Sequence, residues 1–256
     1  MKTLDVASFA LLLGMAAAAG LIGCFALMRR MSLAADAMSH VALPGIGIAL
    51  ILHMSPLVGA IAMLLVGALL IWALEQRTRI ATETVTGVVF SMALAVGSLL
   101  ASGEELIDAL LGGTSTVAAW ELALGIAAAA AVIVFIVRAR NSLLVSLVSP
   151  EIAMTSGVDV ARLDLYFLLA FALTVGLGLR YLGVLLMGSM IIIPPAVARR
   201  FARNLNGMFA WSIAVAVLST AAGTYAAALV GRQSGPFIVM IAGGLFGVSL
   251  LRRQGA

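Results

Sequence analysis

The stretch Asp36-Ala-Met-Ser-His40-Val-Ala-Leu-Pro44-Gly45 lies inside a run, 32–53, that is otherwise apolar enough for a membrane interior. A carboxylate and an imidazole four residues apart fall on one face of a helix. On insertion scales a carboxylate at the centre of a membrane helix costs about 2.5–3.5 kcal/mol, which points to a use for it. Pro44 has no N–H, so in a continuous helix the His40 carbonyl loses its usual partner. One face then offers an anionic oxygen, a ring nitrogen and a backbone oxygen, the parts of a divalent-cation site. The same residues also fit a simpler arrangement, with His40 hydrogen-bonded to Asp36 inside a bundle and no ion bound. At about 1.5 Å per residue, His40 stands roughly 12 Å from the near end of its span. No other acid or histidine is expected at that depth. The remaining ligands would come from water, from backbone or from a second copy across a two-fold axis.

The rest of the chain has the same character. It is 63% hydrophobic and 10% charged over 256 residues. That is too little charge for a soluble domain of this length and predicts an all-α polytopic membrane protein. Apolar segments at about 6–28, 32–53, 56–74, 86–101, 119–137, 163–179, 182–197, 208–230 and 236–251 give eight or nine transmembrane helices in one domain. The region 102–118 could be partly re-entrant. The first segment is too long for a signal-peptide core and reads as a span. A single cysteine, Cys24, excludes an internal disulfide. The thirteen methionines and the small residues such as Gly243 and Gly247 read as packing.

The net charge of +4 does not point to nucleic acid, because the basic residues sit at span ends and form no stripe with aromatics. With Arg29 and Arg30 in the cytoplasm and the spans alternating, Arg77, Arg79, Arg138, Arg140, Arg162, Arg199, Arg200, Arg203, Arg252 and Arg253 also fall inside. Only Lys2, Arg180 and Arg232 fall outside. Twelve against three satisfies the positive-inside rule, with the N-terminus out and the C-terminus in. The outer face is then acidic, with Glu104, Glu105, Asp108 and Glu121, and suits attraction of cations or of a docking protein. His53, at the outer end of its span, reads as an interfacial residue, with a role at a metal entrance as the alternative.

A P-loop needs a lysine to reach the phosphates. The only lysine is Lys2, at the extreme N-terminus, so any ATP-driven work requires another chain. The cytoplasmic connection holds Ser149-Pro150-Glu151-Ile-Ala153-Met-Thr-Ser-Gly157. Serine at the N-cap, proline at N1, an acid in the first turn and a closing glycine predict a short surface helix. It is either an ordinary interfacial turn or a helix that docks into an ATPase subunit. Pro194 and Pro195 predict a bend in the span at 182–197, with the freed carbonyls of Met190 and Ile191 facing protein or a water-filled path.

Taken together these stretches resemble the permease subunits of bacterial ABC importers for zinc, manganese and iron, over nearly the whole chain. Arg29-Arg30-Met31-Ser32 followed by Asp36-Ala-x-Ser-His40-x-x-Leu-Pro44-Gly45 resembles that family's signature at the start of its second span. Ser149-Pro150-Glu151-x-Ala153 with Gly157 resembles its ATPase-coupling segment. Gly183-x-Leu185-Leu186 followed by Ile192-Ile193-Pro194-Pro195-Ala196-x-Ala198-Arg199 resembles its late-span signature, with Pro195 where the family more often has alanine.

The resemblance implies a homodimeric, multi-pass permease of the bacterial inner membrane. Two cytoplasmic ATPases and an external metal-binding protein would work with it. Asp36 and His40 would be the metal-contacting pair, and Glu151, Ala153 and Gly157 would lie in the coupling segment. It implies no permanent cofactor, only a divalent metal as the transported substrate. One Asp and one His suit zinc and manganese alike. The competing class is an ion-coupled secondary transporter with Asp36 and His40 as a proton or cation relay.

Overall fold

The structure is a computed structural model that describes residues 6–78, 80–100, 119–182 and 184–251. The ordered elements among them are helices: α1 (Val6–Met28), α2 (Ser32–Val41), α3 (Leu43–Ile51), α4 (Pro56–Thr78), α5 (Thr82–Leu100), α6 (Ala119–Val148), α7 (Pro150–Thr155), α8 (Val160–Leu182), α9 (Val184–Phe201), α10 (Leu205–Val230) and α11 (Ser234–Leu250). Among the described residues, seven membrane-crossing candidates are long and apolar enough. Six are built on α1, α4, α5, α6, α8 and α10, and the seventh, Leu33–Ile51, takes in both α2 and α3. Ser234–Leu250 is a shorter apolar helix. The acidic residues Glu104, Glu105 and Asp108 and the re-entrant stretch lie outside the described residues.

α1 is the axis of the bundle. It packs against α6, α8, α9 and α10, and Leu11, Met15, Ile22 and Phe25 on it are buried. A second group forms around α3, which lies between α4 and α5. Glycine makes that group possible. A methyl on Gly45 would overlap the Gly59 carbonyl oxygen, and one on Gly59 would overlap that of Gly45. Lipid gives helices no hydrophobic reason to associate, so such close backbone approach supplies the attraction. α9 ties the two groups together by packing on α1 and α10 on one side and α2 on the other.

α9 runs helically through Pro194 and Pro195, and both are buried. Pro195 cannot donate to the Ile191 carbonyl. That oxygen faces α1 at Gly23, where a methyl would overlap it. The freed oxygen thus meets a glycine Cα rather than hydrocarbon, as a membrane interior requires.

Four helices end in a closing turn with a 6→1 and a shorter backbone bond around a residue of positive φ, among them α10, where Gly231 (φ 68) is followed by Arg232 N on Ala227 O at 3.1 Å. Arg30 (φ 61) closes α1 through Met31 N to Ala26 O, 2.8 Å, and Arg30 N to Leu27 O, 3.2 Å. His53 (φ 52) closes α3, with Met54 N on Ala49 O at 2.8 Å. Gly157 (φ 80) closes α7, with Val158 N on Ala153 O at 3.0 Å.

Two expected boundaries are corrected. The span expected at 119–137 is longer. α6 continues to Val148 because Leu143 and Ser146 stay buried, and the Ser146 hydroxyl donates to the Leu143 carbonyl. α8 starts at Val160 rather than 163, where the Asp159 carboxylate accepts from Arg162 N at 3.1 Å and caps the first turn. The earlier start places Asp164 four residues inside a membrane-crossing candidate, as deep by residue count as Asp36 in α2. By the same count Asp164 lies short of His40, which is eight residues into its segment.

Candidate metal-contacting site

α2 leaves the Arg30 turn immediately, so Asp36 stands in its second turn and His40 one turn further on. The buried Ser39 hydroxyl donates to the Asp36 carbonyl at 2.6 Å. Behind Asp36 the backbone is pressed against α9. A methyl on Gly188 would come within 3.1 Å of Asp36 Cα and N. With its backbone held there, Asp36 has an exposed side chain. Its carboxylate has no ion-pair partner among the described residues.

His40 is half-buried, and its ring meets Phe90 of α5 edge to face, centroids 5.5 Å apart at 60°. Its Nδ1 is buried without a hydrogen-bond partner. A buried ring nitrogen without a partner is an uncommon expense. The arrangement with His40 hydrogen-bonded to Asp36 is not formed.

One residue after Val41 the helix is interrupted at Ala42, and Pro44 sits in the first turn of α3. The Ala42 N–H is the cap contact of the His40 carbonyl, and Pro44, four residues on, has no N–H to give it. No group of three or more His, Cys, Asp or Glu gathers among the described residues, so one chain offers at most two such side chains here. Zinc usually takes four. A carboxylate oxygen and an imidazole nitrogen suit a divalent transition metal, and the incomplete shell suits an ion that is released again.

The short helix α7 packs on α6 and α8. The Ser149 hydroxyl accepts from Ile152 N, Ala153 is fully buried, and Glu151, Ile152 and Met154 are exposed. His53 is exposed, in the turn that ends α3.

Sequence reasoning missed a second charged pair. Arg29 Nη1 donates to Asp164 Oδ1 at 2.7 Å, with side chains 15% and 22% exposed. The same guanidinium lies 4.5 Å from the centroid of the buried Phe167 ring. Trp72 Nε1 of α4 donates to Ala161 O at 2.8 Å, in the first turn of α8. The Asp159–Arg162 cap is a local signal that moves the start of α8 and brings Asp164 into the bundle, but it does not single out Arg29 as the partner.

The chain matches known proteins over nearly its whole length. The model of the ABC 3 transport family matches residues 3–253. The high-affinity zinc uptake system membrane protein ZnuB of Haemophilus influenzae is 29% identical over 241 residues, 91% of this chain and 91% of that protein. The manganese transport system membrane protein MntC of Halalkalibacterium halodurans is 30% identical over 235 residues, 90% of this chain and 80% of that protein. Among solved structures, PsaBC from Streptococcus pneumoniae in complex with a Fab superposes with a TM-score of 0.80 at 26% identity, covering 94% of this chain and 89% of that one. The chain belongs to the ABC 3 transport family.

Proposed function

We propose that this chain is the membrane-spanning subunit of an ATP-driven importer of zinc or manganese, and that Asp36 and His40 contact the ion as it passes. The observation that supports this most is the exposed Asp36 carboxylate, one turn from a buried and unpartnered His40 Nδ1, on a helix inside a membrane bundle. A carboxylate facing out of a lone protomer at that depth must meet protein or water rather than lipid. A second copy related by a two-fold axis supplies both the cover and two more ligands.

In this reading Glu151, Ala153 and Gly157 present α7 to a cytoplasmic ATPase subunit. Its exposed Ile152 and Met154 form the docking face. An external solute-binding protein delivers the metal. The bends expected at Pro44 and at Pro194 and Pro195 lie beside the pathway and let it open to one side at a time. Family membership favours ATP drive over an ion-coupled relay.

The test is uptake of radioactive zinc and, separately, of manganese by vesicles that hold this chain with its ATPase. ATP-dependent accumulation of one of them is expected. Accumulation without ATP, driven by a proton or sodium gradient, would overturn the reading.

A further inference from the structure

In the function proposed above, the Arg29–Asp164 pair is not among the residues that contact the ion. We infer that it is the strut by which movement of the ATPase-facing helix reaches the metal-contacting helix. The inference rests on the function proposed above.

The path is short and has little slack. α8 follows α7 after Ser156–Asp159, so a displacement of α7 is passed directly to the first turns of α8. Trp72 holds that end of α8 to α4 through the Ala161 carbonyl. One turn further on, Arg29 grips α8 in two ways. Its Nη1 donates to Asp164 at 2.7 Å, and its guanidinium faces Phe167, three residues on, at 4.5 Å. Asp164 and Phe167 share a face of the helix. A hydrogen bond fixes position along one direction and a ring face fixes it along another. Arg29 therefore follows both sliding and rotation of α8.

On the other side, Arg29 is the first residue of the turn closed by Arg30, with Met31 N on Ala26 O at 2.8 Å. α2 begins at Ser32, and Asp36 is in its second turn. A shift of α8 is thus passed to the start of α2 through a hydrogen-bonded turn. Because Asp36 is backed by Gly188 of α9, tilting α2 changes how its carboxylate is presented. Arg29 and Asp164 are positioning residues, since they act on the ion only through α2.

The readout is the amount of metal moved per ATP hydrolysed, measured with this chain and its ATPase in vesicles. A residue that merely stabilises the fold changes the yield of complex and leaves this ratio alone. Asp164→Asn keeps the shape and removes the charge. It should leave co-purification of the ATPase and the rate of ATP hydrolysis near the wild-type level, while the ratio falls roughly 2- to 30-fold, the range seen for coupling changes of this kind. Arg29→Asp combined with Asp164→Arg should recover part of the ratio. An Asp164→Asn complex with the wild-type ratio overturns the strut, whether or not its yield has dropped. A charge swap that does no better than Asp164→Asn also overturns it. A wild-type complex that moves neither zinc nor manganese overturns the function reading instead, and the strut with it.

Discussion

Two charged pairs stand at similar depth by residue count near the same end of the bundle, and they are built in opposite ways. Arg29 and Asp164 neutralise one another within the chain, and the Phe167 ring lies against the guanidinium. Asp36 and His40 complete nothing. The carboxylate is exposed, and the imidazole keeps a buried nitrogen without a partner. The first pair has matched its charge within the chain, and the Arg29 Nε left buried without a partner is a donor, with nothing to offer a cation. The second keeps an anionic oxygen and a ring nitrogen available at the expense of leaving them unpaired. In the function proposed above the open pair meets the substrate, and the ion pair is structure that can carry movement.

The largest effect separates the two pairs directly. Asp36→Ala and His40→Ala should each lower metal uptake at least about 100-fold, since changes even to groups that only support a metal ligand cost 10–100-fold. Yield of the complex with the ATPase should be unchanged, because neither side chain is bonded within the protomer. Uptake by vesicles made with each variant decides it. Wild-type uptake by either would remove that residue from the site.

Arg29→Ala should do the reverse, acting first on stability. It leaves Asp164 partly desolvated without its partner. Loss of one member of a fully buried pair costs about 3–5 kcal/mol, and the remaining exposure of both side chains brings the expected loss here to about 1–3 kcal/mol. Thermal unfolding in detergent should show a lower midpoint for Arg29→Ala and no such change for Asp36→Ala. Equal midpoints for the two would mean that the contrast drawn above is false.

The open pair was legible in the sequence and the closed pair was not, for a physical reason. A carboxylate and an imidazole at i and i+4 in an apolar run are a local signal, carried by helix periodicity alone. The same holds for Ser149-Pro150-Glu151 with Gly157, whose cap and closing turn involve neighbours in sequence. Arg29 and Asp164 are 135 residues apart. Each alone resembles an ordinary charge at a span end, and nothing in the spacing joins them. The break at Ala42 was half legible, because Pro44 signals an interruption without saying which carbonyl is turned. The meeting of Gly23 with the Ile191 carbonyl follows from how α1 crosses α9, which a single sequence does not encode locally.

A smaller change tests whether the open pair depends on where its backbone is held. Gly188→Ala places a methyl 3.1 Å from Asp36 Cα and N. Those atoms are backbone, so α2 or α9 must shift rather than a side chain rotate. Displacements near 1 Å can cost about 100-fold in a positioned site, and a shift of a few tenths should lower uptake by about tenfold or less. Arg29 and Asp164 should remain paired, and the unfolding midpoint should fall far less than in Arg29→Ala. Unchanged uptake in Gly188→Ala would show that the presentation of Asp36 is not set by α9.

The smallest expected effect concerns Phe90, whose ring packs on His40. Phe90 meets the imidazole edge to face and makes no bond to an ion or to Asp36. Such aromatic pairs contribute about 0.5–1.5 kcal/mol beyond the area they bury. Phe90→Leu keeps most of the apolar volume and removes the ring, so the backbone has no reason to move. His40 then samples more orientations, and the fraction of time in which its ring shares a face with the Asp36 carboxylate falls. The concentration of metal needed for half-maximal uptake should rise by about 2- to 10-fold, the equivalent of that aromatic term, with the maximal rate little changed. A lower maximal rate at the same half-saturating concentration would place Phe90 in the conformational step rather than in the binding of the ion.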